Sequence, residues 1–301
     1  MARVEEGLKS EALRAALDAA LAGDVKRLEE LLARHGSMPS PKPNLKLAQA
    51  FGAELARSEG RVAQLLTRLG ANDAAPDTAE VFLPIAAAHG WAQRVREDRD
   101  VEAGYAALEE LCADERSPVR VGTLDALIGL AAREGWADKL IERASQWISE
   151  QEDRELCFGA AGLMVEVLAD TRVLSELREG ESLLTYLSQV IDKVGSAARS
   201  AERSEGRRRA LTSLSLTLPK VVLGQRAGER GQQWLLAECE RAKHPDVRRM
   251  LSDCIVKLQA QAGSAGVVPL RTALEQSAKP LRDPTLRRQG TGRGKQTRRT
   301  R

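Results

Sequence analysis

Aromatic residues make up only 3% of this chain and histidine occurs three times in 301 residues, so chemistry built on ring stacking or imidazole clusters has little material. The histidines, His35, His89 and His244, form no His-x-x-x-His pair, and no Cys-x-x-Cys occurs. Metal sites of the common spacings are therefore not expected. Cys239, His244 and Cys254 come nearest, and their helical phase makes both cysteines core residues. The four cysteines, Cys112, Cys157, Cys239 and Cys254, are widely spaced among Leu, Ala and Ile, which predicts reduced packing thiols without a disulfide framework. Long apolar runs are missing too: no window reaches the roughly 18 uncharged apolar residues of a membrane span. The start, MARVEEGLKSEALRAAL, is acidic where a secretory signal is basic and then apolar. A cytoplasmic protein without membrane contact is expected. Phosphate-loop and dinucleotide glycine patterns are absent as well, since GTGRGK lies near the C-terminus with no strand before it and no helix after it. No cofactor and no catalytic constellation is expected.

What is present is Leu and Ala in abundance, both strong helix formers, within a hydrophobic fraction of 43%. The charge is unevenly placed. Residues 279–301 carry nine Lys and Arg against Asp283 alone, which turns a net +3 chain into a basic tail on a body of net charge −5. The tail has almost no apolar residues with which to offset the entropy of ordering, so it is expected to be disordered when free.

Leucines recur at helical spacing from residue 10 onward: Leu13, Leu17 and Leu21, then Leu28, Leu31 and Leu32. Gly23 is expected to stop the first helix, Asp24 to cap the second, and Gly36 to end it before a proline-rich stretch. Further helices are predicted near 44–57, 60–69, 78–89, 102–113, 118–134, 137–149, 152–169, 180–195, 206–223, 230–242, 245–261 and 267–276. Short connections between amphipathic helices imply antiparallel neighbours, and nowhere does sustained alternation indicate a sheet. The fold class expected is all-α, with no β-sheet, as an α-solenoid of stacked antiparallel helical hairpins.

Two internal echoes point to repeats. Ala86–Ala92 and Ala131–Ala137 share the pattern AAxxGWA 45 residues apart, and Gly180 and Gly224 continue the spacing. Pro118-Val119-Arg120 is followed by Asp125, Leu127 and Leu130 at the offsets at which Asp253, Ile255 and Leu258 follow Val247-Arg248, with Pro245 just upstream.

The segments DERSPVRVGTLDALIGLAAREG and AKHPDVRRMLSDCIVKLQAQ resemble the second helices of HEAT repeats. The resemblance covers about residues 100–262 and implies four hairpins, over 102–134, 137–170, 180–223 and 230–261. Residues 1–9 then form an N-terminal extension, 10–97 the N-terminal hairpins, 98–278 the HEAT-like repeats continuous with them, and 279–301 the tail. The N-terminal third is also similar to degenerate ankyrin pieces, with Gly23, Gly60 and Gly90 spaced 37 and 30 residues apart, although the Thr-Pro-Leu-His turn is missing. Either family implies a stack of hairpins used as a binding surface.

Arginine opens four of these helices: Arg120, Arg154, Arg207 with Arg208 and Arg209, and Arg248 with Arg249. A cation in the first turn opposes the helix macrodipole by a few tenths to about 1 kcal/mol, so a compensating partner is required. One reading is a ladder of ion pairs to acids such as Asp114, Asp153 and Asp246. The other is an anion-binding ridge on the concave face, formed by Arg120, Arg154, Arg207, Arg208, Arg248 and Arg249. The tail residues Arg287, Arg288, Arg293, Lys295, Arg298, Arg299 and Arg301 have no local counter-ion. They are expected to meet either nucleic acid, sequence-blind and salt-sensitive, or the protein's own acidic body. The leading expectation is a non-catalytic scaffold binding a protein partner along its concave face. The alternative is a DNA- or RNA-binding HEAT-like protein, including an alkylated-base DNA glycosylase, for which Trp136 with Asp138 and Trp147 with Glu150 are the only material.

Overall fold

The computed structural model describes residues 2–40, 42–197, 203–224, 228–262 and 267–277. Among them are fifteen α-helices and no strand. In chain order these are α1 (Ala2–Ala22), α2 (Lys26–His35), α3 (Leu45–Ala56), α4 (Val62–Gly70), α5 (Phe82–Arg96), α6 (Val101–Ala113), α7 (Ser117–Ala131) and α8 (Trp136–Glu150). They continue with α9 (Arg154–Leu168), α10 (Thr171–Glu176), α11 (Gly180–Gly195), α12 (Glu205–Leu223), α13 (Gly228–Arg241), α14 (Pro245–Ala262) and α15 (Val268–Ser277). No helix among the described residues is long and apolar enough to cross a membrane. The basic tail lies outside the described residues.

Helix ends follow local chemistry. Asn44, Asp153, Asp170 and Ser204 each accept a first-turn backbone N–H of the helix that follows, which satisfies one of the four donors a helix start leaves open. Pro118 stands in the first turn of α7, where its missing N–H costs nothing. Gly23 ends α1 with a φ of +118°, a conformation that L side chains resist. Asp24, by contrast, does not cap α2: Val25 occupies that position and no side chain bonds the open donors.

The helices pack in a regular order. One row runs α3, α5, α7, α9, α12, α14, each against the next. A second set pairs α4 with α6, α8 with α11, α11 with α13 and α13 with α15. Within the first row, α5 and α9 are apolar around nearly their whole circumference, and every residue from Phe82 to Ala92 and from Cys157 to Val165 is buried, as expected of helices enclosed on all sides. The four cysteines are free and buried, and burial raises each thiol pKa, that of Cys239 and Cys254 to about 12.

Two expectations change. The AAxxGWA echo does not mark equivalent places: Gly90 lies inside α5, whereas Gly135 sits in the left-handed turn before α8 with φ +74°. Gly90 is there for packing, because a Cβ would stand 2.4 Å from Leu66 and 2.9 Å from Leu55. Accordingly the helix expected over 78–89 runs on to Arg96. The second echo does map onto like positions. Pro118 and Pro245 both lie in first turns, Val119 and Val247 are both buried, and Leu127, Leu130, Ile255 and Leu258 all face the core.

Candidate partner-binding groove

The seventh, ninth and twelfth helices, all in the first row, build one groove. Helix α9 is its floor, through Gly159, Gly162, Leu163 and Glu166. Helix α7 is one wall, with Ser117, Arg120, Val121 and Leu124, and α12 the other, with Glu205, Arg208, Arg209, Thr212 and Ser213. The volume is about 380 Å³. The floor glycines let the walls come close: a Cβ on Gly162 would stand 3.0 Å from the Ala210 Cα, and one on Gly159 2.6 Å from the Ala113 Cα at the end of α6.

Two of the groove's three arginines are held by backbone. Arg120 Nη1 donates to the carbonyls of Asp114 and Glu115, both at 2.7 Å. Arg209 donates to the carbonyls of Asp114 and Ala113 at 3.4 Å, and its Nε is buried without a hydrogen-bond partner among the described residues. The carbonyls at the end of α6 carry the negative end of a helix dipole, so two guanidiniums from the starts of α7 and α12 neutralise it together. Burial, and then the proximity of Arg209, push the Arg120 pKa down. Arg208 pairs with Glu205 on its own helix, and both are largely exposed. Ser213 Oγ on the α12 wall donates to Glu166 Oε1 on the floor at 2.5 Å. Val121 on one wall is 40% exposed, and Leu216, one turn beyond Thr212, is 51% exposed. The groove thus offers fixed cations beside open apolar surface, with Glu166 and Glu205 balancing part of the charge.

The six arginines singled out from sequence do not form one ridge. Arg120 and Arg208 meet here, together with Arg209, which is one of the helix-start arginines but not one of the residues of the expected ridge. Arg207 is a correction: it is 1% exposed and cannot meet a partner. Its Nε donates to the Val194 carbonyl at 2.9 Å and its Nη1 to Asp246 at 2.7 Å, so it ties α12 to the end of α11 and the start of α14. Arg248 donates to the Leu274 carbonyl at 2.9 Å. Arg154 and Arg249 are exposed at the starts of α9 and α14. A ladder of ion pairs is not the general solution either. Of the three acids named, Asp246 alone pairs with one of these arginines; Asp114 pairs with Arg116 at 2.6 Å, and Asp153 caps its own helix. Main-chain carbonyls supply most of the compensation. The tail residues Arg287, Arg288, Arg293, Lys295, Arg298, Arg299 and Arg301 lie outside the described residues.

Elsewhere the indole side chains have structural neighbours. Trp147 is 5% exposed and meets Tyr105 edge-on at 6.4 Å, while Lys139 Nζ lies 4.4 Å over the Trp136 ring. Cys239 and Cys254 are core residues. No group of three His, Cys, Asp or Glu among the described residues is placed to hold a metal ion. Sequence reasoning also missed a second polar recess, one step back along the same row, around His89 and Asp125. No protein-family model, no curated protein and no solved structure matches this chain.

Proposed function

We propose that this chain is a non-catalytic helical-repeat scaffold, an α-solenoid of HEAT-like hairpins, and that the groove between α7, α9 and α12 docks an acidic segment of a partner protein. The observation that carries the reading is the convergence of Arg120, Arg208 and Arg209 on one open groove beside exposed Val121. Anchored guanidiniums lose little freedom on binding a carboxylate, and the apolar wall adds area that a bare phosphate does not use. The row in which each of α3, α5, α7, α9, α12 and α14 contacts the next supports the stacked-hairpin reading, as does the equivalence of the α7 and α14 starts. A protein partner is favoured over nucleic acid because most of the helix-start arginines are engaged within the fold; a phosphate ridge calls for them to be free.

Fluorescence anisotropy with a labelled peptide of alternating Glu and Leu tests it. Arg208→Glu is the informative variant, since Arg208 is exposed and its only described ion pair is the exposed Glu205. Binding weakened about tenfold by the substitution, with the circular dichroism spectrum intact, is the expected result. Equal binding by wild type and variant would move the site elsewhere.

A further inference from the structure

The recess one step back along the row has α5 as its floor and α3 and α7 as its walls, with a volume of about 310 Å³. Its chemistry is unlike that of the arginine groove. Gln49 Nε2 donates to Asp125 Oδ2 at 2.8 Å, bridging α3 and α7 over the buried α5. The His89 side chain is 6% exposed, and its Nε2 lies 3.7 Å from the same carboxylate oxygen, beyond hydrogen-bond reach. Neither His89 Nε2 nor the buried Gln93 Oε1 has a hydrogen-bond partner among the described residues. Leaving two such atoms unmet costs about 1–3 kcal/mol each. Desolvation lowers the imidazole pKa to about 4, against the pull of Asp125, so the ring is neutral at pH 7.

We infer that this recess is a small-molecule site for a hydroxyl-bearing anion, its hydroxyl end placed among His89, Gln93 and Asp125 and its anionic end on Arg96 and Arg133. A hydroxyl can donate or accept, so it answers Nε2 whichever imidazole nitrogen holds the proton, and it can donate to Gln93 Oε1 or to Asp125. A carboxylate or phosphate would be repelled from the inner end by Asp125. Arg96, half-buried and paired with Glu97 at 2.9 Å, and Arg133, exposed, line the same recess, so Arg133 is the main source of opposite charge there. The volume matches the lower end of ligand pockets, at roughly 300 Å³.

The test is nitrogen NMR of the full chain with 15N-labelled histidine, which gives only three ring systems to resolve. The probe is glycerol 3-phosphate, with glycerol and inorganic phosphate as controls. The His89 ring nitrogens are expected to shift with glycerol 3-phosphate, saturating below about 10 mM. Arg133→Ala, an exposed position, is expected to weaken that binding about threefold or more, as loss of one exposed charge contact would. His89 signals that stay unmoved at that concentration would overturn the inference and leave the recess a structural cavity. So would shifts that either control reproduces at the same concentration, or that Arg133→Ala leaves unchanged.

Discussion

Replacing Arg207 with methionine removes the guanidinium while roughly keeping the volume of the side chain, so it isolates the polar contribution of a residue that is 1% exposed. Three contacts are lost: hydrogen bonds to the Val194 carbonyl and to Asp246, and a longer, weaker one of 3.5 Å with His244 Nδ1. Hydrogen bonds involving a charged group contribute about 1.5–3 kcal/mol each. Asp246 is 46% exposed and regains water when its partner leaves, which places its share at the bottom of that range. The Val194 carbonyl, at the end of α11, loses the Arg207 donor in a buried setting. Together these give a destabilisation of about 3 kcal/mol. Urea unfolding followed by far-ultraviolet circular dichroism measures it, with peptide binding in the α7, α9, α12 groove expected to stay at the wild-type level. A loss below about 1 kcal/mol would refute the view of Arg207 as the tie between α11, α12 and α14.

Other expectations follow from the same packing. The depressed His89 pKa predicts a pH slope: above about pH 6.5 neither state holds the proton, and below it the unfolded chain takes it up while the folded chain does not until about pH 4. Stability is therefore lost as pH falls through that window, by at most about 3 kcal/mol, and His89→Gln is expected to flatten the slope in urea titrations between pH 7 and pH 5. Two helical glycines are expected to respond oppositely to alanine. At Gly129 nothing lies within 4 Å of the added Cβ, so the variant gains about 0.5–1 kcal/mol; at Gly159 the Cβ meets the Ala113 Cα, and overpacking costs about 1–3 kcal/mol. Thermal melts of the two variants check the signs.

The helices were readable because leucine periodicity and short connections are local signals, and α7, α9, α11 and α14 lie within a few residues of where that periodicity puts them. Helix α10 escaped notice because six residues carry too little period. The end of α5 was misplaced because a glycine in a sequence reads as a stop, and only the neighbouring helices reveal that Gly90 makes room for Leu55 and Leu66. For the site, a run of three arginines gives no face by composition alone. Yet a signal existed: Arg207 stands three before Ala210 and seven before Leu214, both fully buried, so helical phase points it at the core and turns Arg208 and Arg209 away. His89 and Gln93 are one turn apart, His89 being the first polar side chain after the apolar run that opens α5, which is also visible in sequence. Their meeting with Gln49 and Asp125 is tertiary, since the Gln49–Asp125 bond spans 76 residues, and no local pattern encodes it.

The central claim, that the first-row groove takes an acidic protein segment, is tested most directly by anisotropy of the labelled Glu/Leu peptide and of labelled duplex DNA, measured with the full chain and with residues 1–278 at two salt concentrations. The account predicts that the peptide binds both forms alike and that any DNA binding depends on the tail and fades steeply with salt. Tight DNA binding by residues 1–278 with no measurable peptide binding would contradict it.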